Sequence, residues 1–194
     1  SAAPAQAGVI TDWDELLRNA FQQQPSGPPD MARSGARVMT AMYNAVNAVD
    51  QTHQSYGGFN VRGDPGTSRE AAAAQAAYEV MQSLYPSLGA QWSAQLATSL
   101  AAVADGAAKT VGVSLGHASA SHMIALRSND GTQLPNHYLS GSNPGDYVNP
   151  NIGQPSYDRN TAVEPNAGNY TPWTLVSGSQ FRPNLLTHCL PSCS

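Results

Sequence analysis

The sequence predicts an all-α fold, a helical bundle of about five helices followed by a long extended, irregular C-terminal arm. From residue 11 to residue 129, apolar side chains recur at the spacing of amphipathic helices, in five stretches separated by turn residues. After residue 131, eight prolines recur among glycine, asparagine and tyrosine, and no apolar stripe exceeds two helical turns. We therefore divide the chain into a helical bundle, residues 1–131, and an arm, residues 132–194.

The first two helices are recognised by their N-terminal signals. Thr11 is the predicted N-cap of the first helix, because its hydroxyl can accept a hydrogen bond from a backbone N–H two or three residues later. Three acidic side chains follow, where the helix dipole favours them: Asp12, Asp14 and Glu15. The prolines of segment 25–29 end this helix and suit the first turn of the second. The second helix, residues 29–51, is apolar on more than one side, which predicts a central position.

Capping and turn residues also bound the other three helices. Thr67-Ser-Arg-Glu70 is a capping-box signature that opens the alanine-rich third helix, and Pro86 ends it. The fourth helix is predicted over about residues 87–104 and the fifth over about residues 107–128. In the fifth helix we expect these residues to form the buried stripe: Val111, Leu115, Ala118, Ala125 and Leu126.

The arm admits two interpretations. Its prolines, its glycines and its lack of helical periodicity are typical of a disordered tail. A disordered segment is usually poor in aromatic residues, however, and this arm carries six that could pack against apolar surface: Tyr138, Tyr147, Tyr157, Tyr170, Trp173 and Phe181. We therefore favour an extended arm that lies against other protein surface.

Charge and hydropathy argue against a nucleic-acid surface and a membrane span. The chain has nine basic and thirteen acidic residues, a net charge of −4 and a single lysine, Lys109. A nucleic-acid surface needs clustered cations, and the arginines here are scattered along the chain. No apolar run approaches the roughly 18 residues that span a bilayer. We predict no nucleic-acid partner and no membrane span.

Several features are typical of an exported protein. The N-terminus reads as a mature start, without a basic segment or an apolar leader. Asn169-Tyr-Thr171 is a glycosylation sequon, which makes Asn169 a candidate glycosylation site. The two cysteines, Cys189 and Cys193, occur together near the end. We expect a secreted, extracellular or periplasmic location.

The cysteine pair is expected to be oxidised in such a compartment. Cys189 and Cys193 could form a disulfide within the chain if the turn at Pro191 brings their Cα atoms within about 7 Å, or each could join a partner chain. The alternative is a metal site in which His188 adds a third ligand, although three ligands within six residues are a weak pattern. We assign the pair to a disulfide, and we predict neither a metal site nor a cofactor.

The other histidines have structural explanations and need no catalytic or metal-binding role. His117 and His122 lie about 140° apart around the fifth helix, so they cannot share a metal ion from one face. We interpret His122 as a hydrogen-bonded core histidine. His53 and His137 stand near loops, where a solvated side chain is expected.

Serine, acidic and glycine clusters also have structural explanations. Ser119 and Ser121 lack the Gly-x-Ser-x-Gly elbow of a hydrolase. The acidic cluster at 12–15 resembles a glycosidase pair only superficially, because it occupies a helix first turn. Gly57-Gly58 and segment 63–66 are turn formers without the lysine of a phosphate loop.

A set of short segments, in a fixed order, links most of the chain to a known family. They are Trp13-Asp-Glu-Leu-Leu17, Ala32-Arg33, the run Met39–Val49, Ser68-Arg-Glu-Ala-Ala72, Ala76-Ala-Tyr78, Leu84-Tyr-Pro86, Gly112-Val-Ser-Leu-Gly116, the run Ala125–Gly131, Pro144-Gly-Asp146, Pro172-Trp173 and Ser179-Gln-Phe-Arg-Pro183. Together they resemble the N-terminal helical half of the vanadium-dependent haloperoxidases, in the type 2 phosphatidic-acid phosphatase superfamily. The resemblance extends to about residue 183, and the order of the segments carries it.

The resemblance implies that the family's catalytic half is absent from these residues. In that family a Lys-x6-Arg-Pro pattern, a Ser-Gly-His and an Arg-x3-His-x3-Asp segment hold vanadate, or phosphate in the phosphatase relatives. Arg182-Pro183 is the single Arg-Pro pair here, and Leu175 stands where the lysine would be. Neither of the other two patterns occurs; the nearest is Leu115-Gly116-His117. We therefore predict no catalytic residue in this chain and expect no enzyme activity from it alone.

Two functions are compatible with these observations. The first is a non-catalytic structural or assembly module that self-associates into an extracellular oligomer or array. The second is one part of a split or truncated haloperoxidase or acid phosphatase, whose active site lies on a separate catalytic-half chain. The ending, residues 185–194, departs from the family continuation and favours the first function. A small-ligand carrier has no feature in its favour.

Overall fold

The computed structural model describes residues 8–132, 164 and 166–181. The chain divides after residue 128 into two units, and each is described by itself. The first unit contains five α-helices: α1 (Val9–Gln23), α2 (Pro28–Asp50), α3 (Arg69–Leu84), α4 (Gly89–Ala101) and α5 (Ala107–Leu126). Short 3-10 turns at Tyr56–Gly58 and Pro86–Leu88 precede α3 and α4. The described residues contain no β-strand, and the predicted all-α bundle is confirmed.

The central helix is α3 rather than α2. It packs against each of the other four helices, and its alanines are completely buried: Ala71, Ala72, Ala73, Ala74, Ala76 and Ala77. Such small side chains let neighbouring helices approach closely on every side. By contrast, α2 packs against α1, α3 and α5 but leaves Tyr43 40% exposed. The prediction of a central α2 was wrong, because apolar residues on two sides of a helix do not ensure that both sides are covered.

Two glycines one turn apart bring α5 against α3. A Cβ on Gly112 would lie 2.5 Å from the Ser68 carbonyl oxygen, and one on Gly116 would lie 2.4 Å from the Ala72 carbonyl oxygen. Real Cβ atoms do not approach so closely, so any side chain at either position would push the helices apart. The Gly112-x3-Gly116 spacing therefore sets the distance between the two helices.

The buried face of α5 differs from the predicted stripe. It consists of Gly112, Leu115, Gly116, Ser119, Ala120 and Met123. Three members of the predicted stripe, Val111, Ala125 and Leu126, are exposed instead. Leu115 is buried as predicted, but the stripe was otherwise wrong because it left out Gly112 and Gly116, whose lack of a side chain the contact with α3 requires.

The start of α1 lies earlier than predicted. The backbone N–H of Asp12 donates to the Gly8 carbonyl at 3.1 Å, and the helix begins at Val9. Gly8 is therefore the N-cap, and Thr11 lies within the first turn. Of the three acidic residues, only Asp12 occupies that turn. Asp14 instead pairs with Arg18 at 3.2 Å along the helix.

The N-cap of α3 is Ser68 rather than Thr67. Ser68 Oγ accepts a hydrogen bond from the Ala71 N–H at 3.1 Å, a contact that contributes about 1 kcal/mol in other helices. The Ser68 N–H donates to the Ala108 carbonyl at 3.0 Å, at the start of α5. Thr67 is buried, and its N–H donates to the Asp64 carbonyl in a turn. The predicted capping box is not formed, because with Ser68 as the N-cap the third residue of the helix is Ala71, and Glu70 instead accepts a hydrogen bond from the Ser68 hydroxyl at 3.1 Å.

A single buried tryptophan attaches α4 to the bundle. Trp92 is fully buried, and its Nε1–H donates to the Tyr85 carbonyl at 3.0 Å. Leu96 and Leu100 are half-buried, and no other residue of the helix is buried. These three side chains form the apolar side of α4, with Trp92 as its buried anchor.

In the second unit, a backbone contact links its first residues to segment 166–181. The Thr171 N–H donates to the Asp130 carbonyl at 2.8 Å. Gly131 has φ +95°, and a Cβ there would lie 2.9 Å from the Asn169 carbonyl oxygen. A 3-10 turn, Ala167–Asn169, follows in the chain. Glycine at 131 is therefore required both by the backbone conformation and by the close approach.

The described aromatic residues of this second unit differ in exposure. Tyr170 is buried and Trp173 is half-buried, whereas Phe181 is 77% exposed. Tyr138, Tyr147 and Tyr157 lie outside the described residues. The choice between a disordered tail and a packed arm therefore stays a prediction for most of segment 132–194.

Candidate functional site

Two buried asparagines of α2 hold the loop that follows this helix. The Asn44 Nδ2–H donates to the Tyr56 carbonyl at 3.1 Å, and Asn44 Oδ1 accepts from the Tyr56 N–H at 2.8 Å. Asn47 binds His53 in the same way, at 2.8 Å through its Nδ2–H and at 3.0 Å through its Oδ1. Each side-chain amide thus binds both the backbone N–H and the backbone carbonyl of one loop residue, which have no partner in regular secondary structure. The conformation of the loop is fixed by α2 itself.

The other side of this loop is held by α5. The His122 Nε2–H donates to the Gly57 carbonyl at 3.0 Å, and its ring centroid lies 5.4 Å from that of Phe59. Gly57 has φ +67°, and a Cβ there would lie 2.4 Å from Leu126 Cδ2. His122 is therefore a hydrogen-bonded structural residue, as predicted from the sequence, but it is half-buried rather than part of the core.

A buried arginine completes the frame of the loop. Arg127, which is 3% exposed, donates through Nη2 to the Tyr56 hydroxyl, and its guanidinium lies 5.6 Å from the centroid of that ring. Arg37 of α2 donates through Nη2 to the Arg127 carbonyl at 2.9 Å. Buried guanidinium groups keep their positions only when such contacts replace their hydration. These contacts therefore tie the C-terminal end of α5 to the loop and to the middle of α2.

A polar cleft of about 360 Å³ opens between this loop and the C-terminal end of α2. Its polar wall consists of Gln51, His53, Gln54, Asn60 and Arg62, and its apolar wall includes the buried Phe59. We call it the Arg62 cleft. Its volume is in the range of small binding sites in proteins, about 300–1,000 Å³.

Arg62 is the cation of this cleft. Its Nη1–H donates to Gln51 Oε1 at 2.9 Å, and Gln51 is itself held in the left-handed conformation at φ 51°. No carboxylate among the described residues forms an ion pair with Arg62. The guanidinium is thus oriented by a neutral side chain, with its charge available to an anion.

A second depression, of about 380 Å³, lies on the adjoining face of α2. We call it the α2 groove. Its apolar lining comes from α1 and α2: Ile10, Met39, Met42, Tyr43 and Val46. Ile10 is 43% exposed and Tyr43 is 40% exposed. Because Asn47 and His53 line both depressions, the α2 groove and the Arg62 cleft are neighbours on one surface.

Most other residues considered from the sequence serve packing or surface contacts. His117 is exposed, and its Nδ1 lies 2.9 Å from both carboxylate oxygens of Glu79 on α3. Ser119 is buried and donates to the Ala41 carbonyl at 2.7 Å, which engages its hydroxyl in the contact between α5 and α2. Neither residue is joined by a nucleophile or a base in the arrangement of a hydrolase.

The predicted modification sites have different positions. Asn169 is exposed at the end of the 3-10 turn, so its side chain is accessible from solvent. Cys189, Cys193, His137 and His188 lie outside the described residues. The disulfide therefore stays a prediction.

Lys109 forms an ion pair that lowers the pKa of its partner, Asp105. Its Nζ lies 2.9 Å from Asp105 Oδ1 and 3.3 Å from the Val103 carbonyl. The hydrogen bond from Lys109, together with its positive charge, lowers the pKa of Asp105 below its ordinary value. The contact connects the turn before α5 to the first turn of that helix.

The described residues contain no group of three or more His, Cys, Asp or Glu that could hold a metal ion. No helix among them is long and apolar enough to cross a membrane. No family model matches the chain, and no curated protein or solved structure does so either. The resemblance to the haloperoxidases therefore stays a prediction from the sequence.

Asn44 and Asn47, which hold the loop, were not predicted from the sequence. They stand within the last two turns of α2, where asparagine is unfavourable unless its side chain bonds elsewhere. Their three-residue spacing also places them on one face of α2. Two such asparagines before a loop rich in glycine were a usable signal that the helix holds the loop.

Proposed function

We propose that the chain is a non-catalytic structural and assembly module of a secreted haloperoxidase-like protein, whose copies associate into an extracellular oligomer or array. The observation that carries the proposal is the α2 groove, an apolar depression that is open to solvent. Its half-exposed walls, Ile10 and Tyr43, come from two different helices. Grooves of this kind on a rigid scaffold are typical of sites that receive a side chain of a partner.

The rest of the first unit supports a scaffold role. The helices α3 and α5 are in contact through backbone and small side chains, so the frame around the groove resists deformation. The loop beside the groove is fixed by Asn44, Asn47 and His122. A site that is already ordered loses little conformational entropy on binding.

The second unit offers apolar side chains that a neighbouring copy could receive. Val176 is 90% exposed and Phe181 is 77% exposed. We propose that residues 132–183, the larger part of the arm, of one copy lie on the helices of another. A contact of about 1,000 Å² or more would give a specific interface. A closed contact would produce dimers, and a head-to-tail contact would produce a growing array.

Light scattering of the full chain over a hundredfold range of concentration tests this proposal. We expect the average mass to rise with concentration, because the contact is between copies. Removing residues 132–194 should abolish the rise and leave the helical circular dichroism signal in place. A compact monomer at every concentration that binds no hydrophobic dye would contradict the proposal.

The second candidate function is one part of a split or truncated vanadium-dependent haloperoxidase or acid phosphatase. The ordered segments from Trp13 to Pro183 favour it, because they resemble the half that accompanies a catalytic bundle. The test is to mix the chain with a polypeptide that carries the Ser-Gly-His and Arg-x3-His-x3-Asp segments. Halide oxidation with vanadate and peroxide, or phosphate-ester hydrolysis, should then appear only in the mixture.

A further inference from the structure

We propose that the α2 groove and the Arg62 cleft together bind an extended peptide segment in which an acidic residue stands next to an aromatic one, supplied by the arm of a second copy. This inference rests on the self-association proposed above and names the surface and the chemistry of that contact. It is carried by the charge of Arg62, the adjacency of the two depressions, and the fixed loop between them.

Charge complementarity selects an acidic residue for the cleft. Arg62 is bound to the neutral Gln51, and no carboxylate of the described residues pairs with it. A planar guanidinium with further N–H groups binds a carboxylate through two parallel hydrogen bonds. Among the described residues, the side-chain amides of Gln54 and Asn60 make no hydrogen bond, so they can bind the peptide backbone.

The adjacency of the depressions selects an extended segment. In an extended chain, neighbouring side chains point to opposite sides. A segment that crosses His53 and Asn47, which line both depressions, can therefore place one side chain in the Arg62 cleft and the next in the α2 groove. The apolar lining of the groove, which includes Met39 and Tyr43, suits an aromatic ring.

The arm contains two dipeptides of the required composition, Asp146-Tyr147 and Tyr157-Asp158. Both lie outside the described residues. Elsewhere, Trp13 stands between Asp12 and Asp14, but its ring is fully buried and is unavailable to a partner, and Tyr78 precedes Glu79 inside the helix α3, which is not extended. We assign the contact to the Asp146-Tyr147 dipeptide, because no basic residue lies near it, whereas Arg159 directly follows Asp158 and its charge would repel Arg62.

Fluorescence anisotropy with a labelled peptide of residues 141–152 tests the inference on the full chain. We expect saturable binding that weakens as salt is raised, because the acidic contact is partly exposed. Arg62→Gln should weaken binding about tenfold, while Arg18→Gln, an exposed arginine of α1, should leave it unchanged. The unlabelled peptide should also lower the average mass of the self-associated chain.

Neutralising Asp146 and Arg62 separately and together measures the contribution of their contact to binding. A peptide with Asp146→Asn should bind the native chain about tenfold more weakly, yet bind the Arg62→Gln chain no more weakly than the native peptide does. A peptide with Tyr147→Ala should lose affinity for both chains equally. Equal affinity of all peptides for all chains would overturn the inference.

Failure of this inference is separable from failure of the proposed function. If the native chain and the Arg62→Gln chain both self-associate and neither binds the peptide, the assembly function is supported and the proposed peptide site is contradicted. A chain that stays monomeric at every concentration and yet binds the peptide through Arg62 overturns the assembly function and supports the site. A monomer that binds no peptide overturns both.

Discussion

Apolar surface is covered where α3 contacts α5, whereas it is left open to solvent in the groove on α2. Between α3 and α5, glycine and alanine bring two backbones together, and the surface is completely covered. On α2, the larger side chains of Met39, Tyr43 and Val46 leave an open depression of about 380 Å³. Whether an apolar surface between helices is covered therefore depends on the distance between their backbones rather than on the amount of apolar side chain. It also identifies which surface is available to a partner.

The largest expected effect comes from filling the contact between α3 and α5. Gly116→Ala places a Cβ 2.4 Å from the Ala72 carbonyl oxygen, so the helices must separate. We expect the free energy of unfolding to fall by about 2–3 kcal/mol, as in other overpacked sites. Urea denaturation followed by circular dichroism measures this change.

Gly35→Ala in α2 is the matched control for that experiment. Its Cβ would meet only Leu17 Cδ2, at an ordinary 3.9 Å. Removing a helix-interior glycine there should raise the free energy of unfolding by about 0.5–1 kcal/mol. Equal effects of the two substitutions would show that helix propensity, and not backbone approach, governs both positions.

A smaller effect is expected from releasing the loop that borders the groove. Asn47→Ala leaves the His53 N–H and carbonyl without their buried partner, which should lower the free energy of unfolding by about 1–3 kcal/mol. The same substitution at Asn19, exposed on α1, should change it by less than about 0.5 kcal/mol. Thermal denaturation of the two variants would distinguish them. An unchanged Asn47→Ala protein would mean that the loop is held without α2.

The same comparison explains what the sequence could and could not predict. The bounds of α2, predicted at 29–51 and observed at Pro28–Asp50, follow from prolines at the first turn and from polar turn residues after it. These signals act locally, within a few residues. The buried face of α5 could not be read in this way, because glycines at 112 and 116 are informative only when the opposing helix is known.

The candidate site was less accessible from the sequence than the fold. Exposed Arg62 resembles any surface arginine until the absence of a paired carboxylate among the described residues is seen. Likewise, Ile10 and Met39 fit ordinary helical stripes, and only the tertiary structure shows that they border an open groove. What the sequence did indicate was apolar surface on more than one side of α2.

The smallest expected effect concerns the turn before α5 and its pH dependence. The hydrogen bond and charge of Lys109 lower the pKa of Asp105, so the stability that this contact contributes is present above the unfolded pKa. It is lost as the pH falls through the lowered pKa. The melting temperature of Asp105→Asn should therefore lie slightly below that of the native chain near neutral pH and match it in acid. A constant difference across the pH range would contradict this assignment.

The most direct test of the central claim compares two nearly equally exposed apolar residues. Ile10 is 43% exposed beside the α2 groove, and Val111 is 42% exposed on α5. Each is replaced by lysine, and light scattering follows the average mass of the full chain over a hundredfold dilution. We expect Ile10→Lys to shift the association to at least about tenfold higher concentration, while Val111→Lys leaves it unchanged. Equal effects of the two substitutions, or none from either, would contradict the claim that copies associate through the α2 groove.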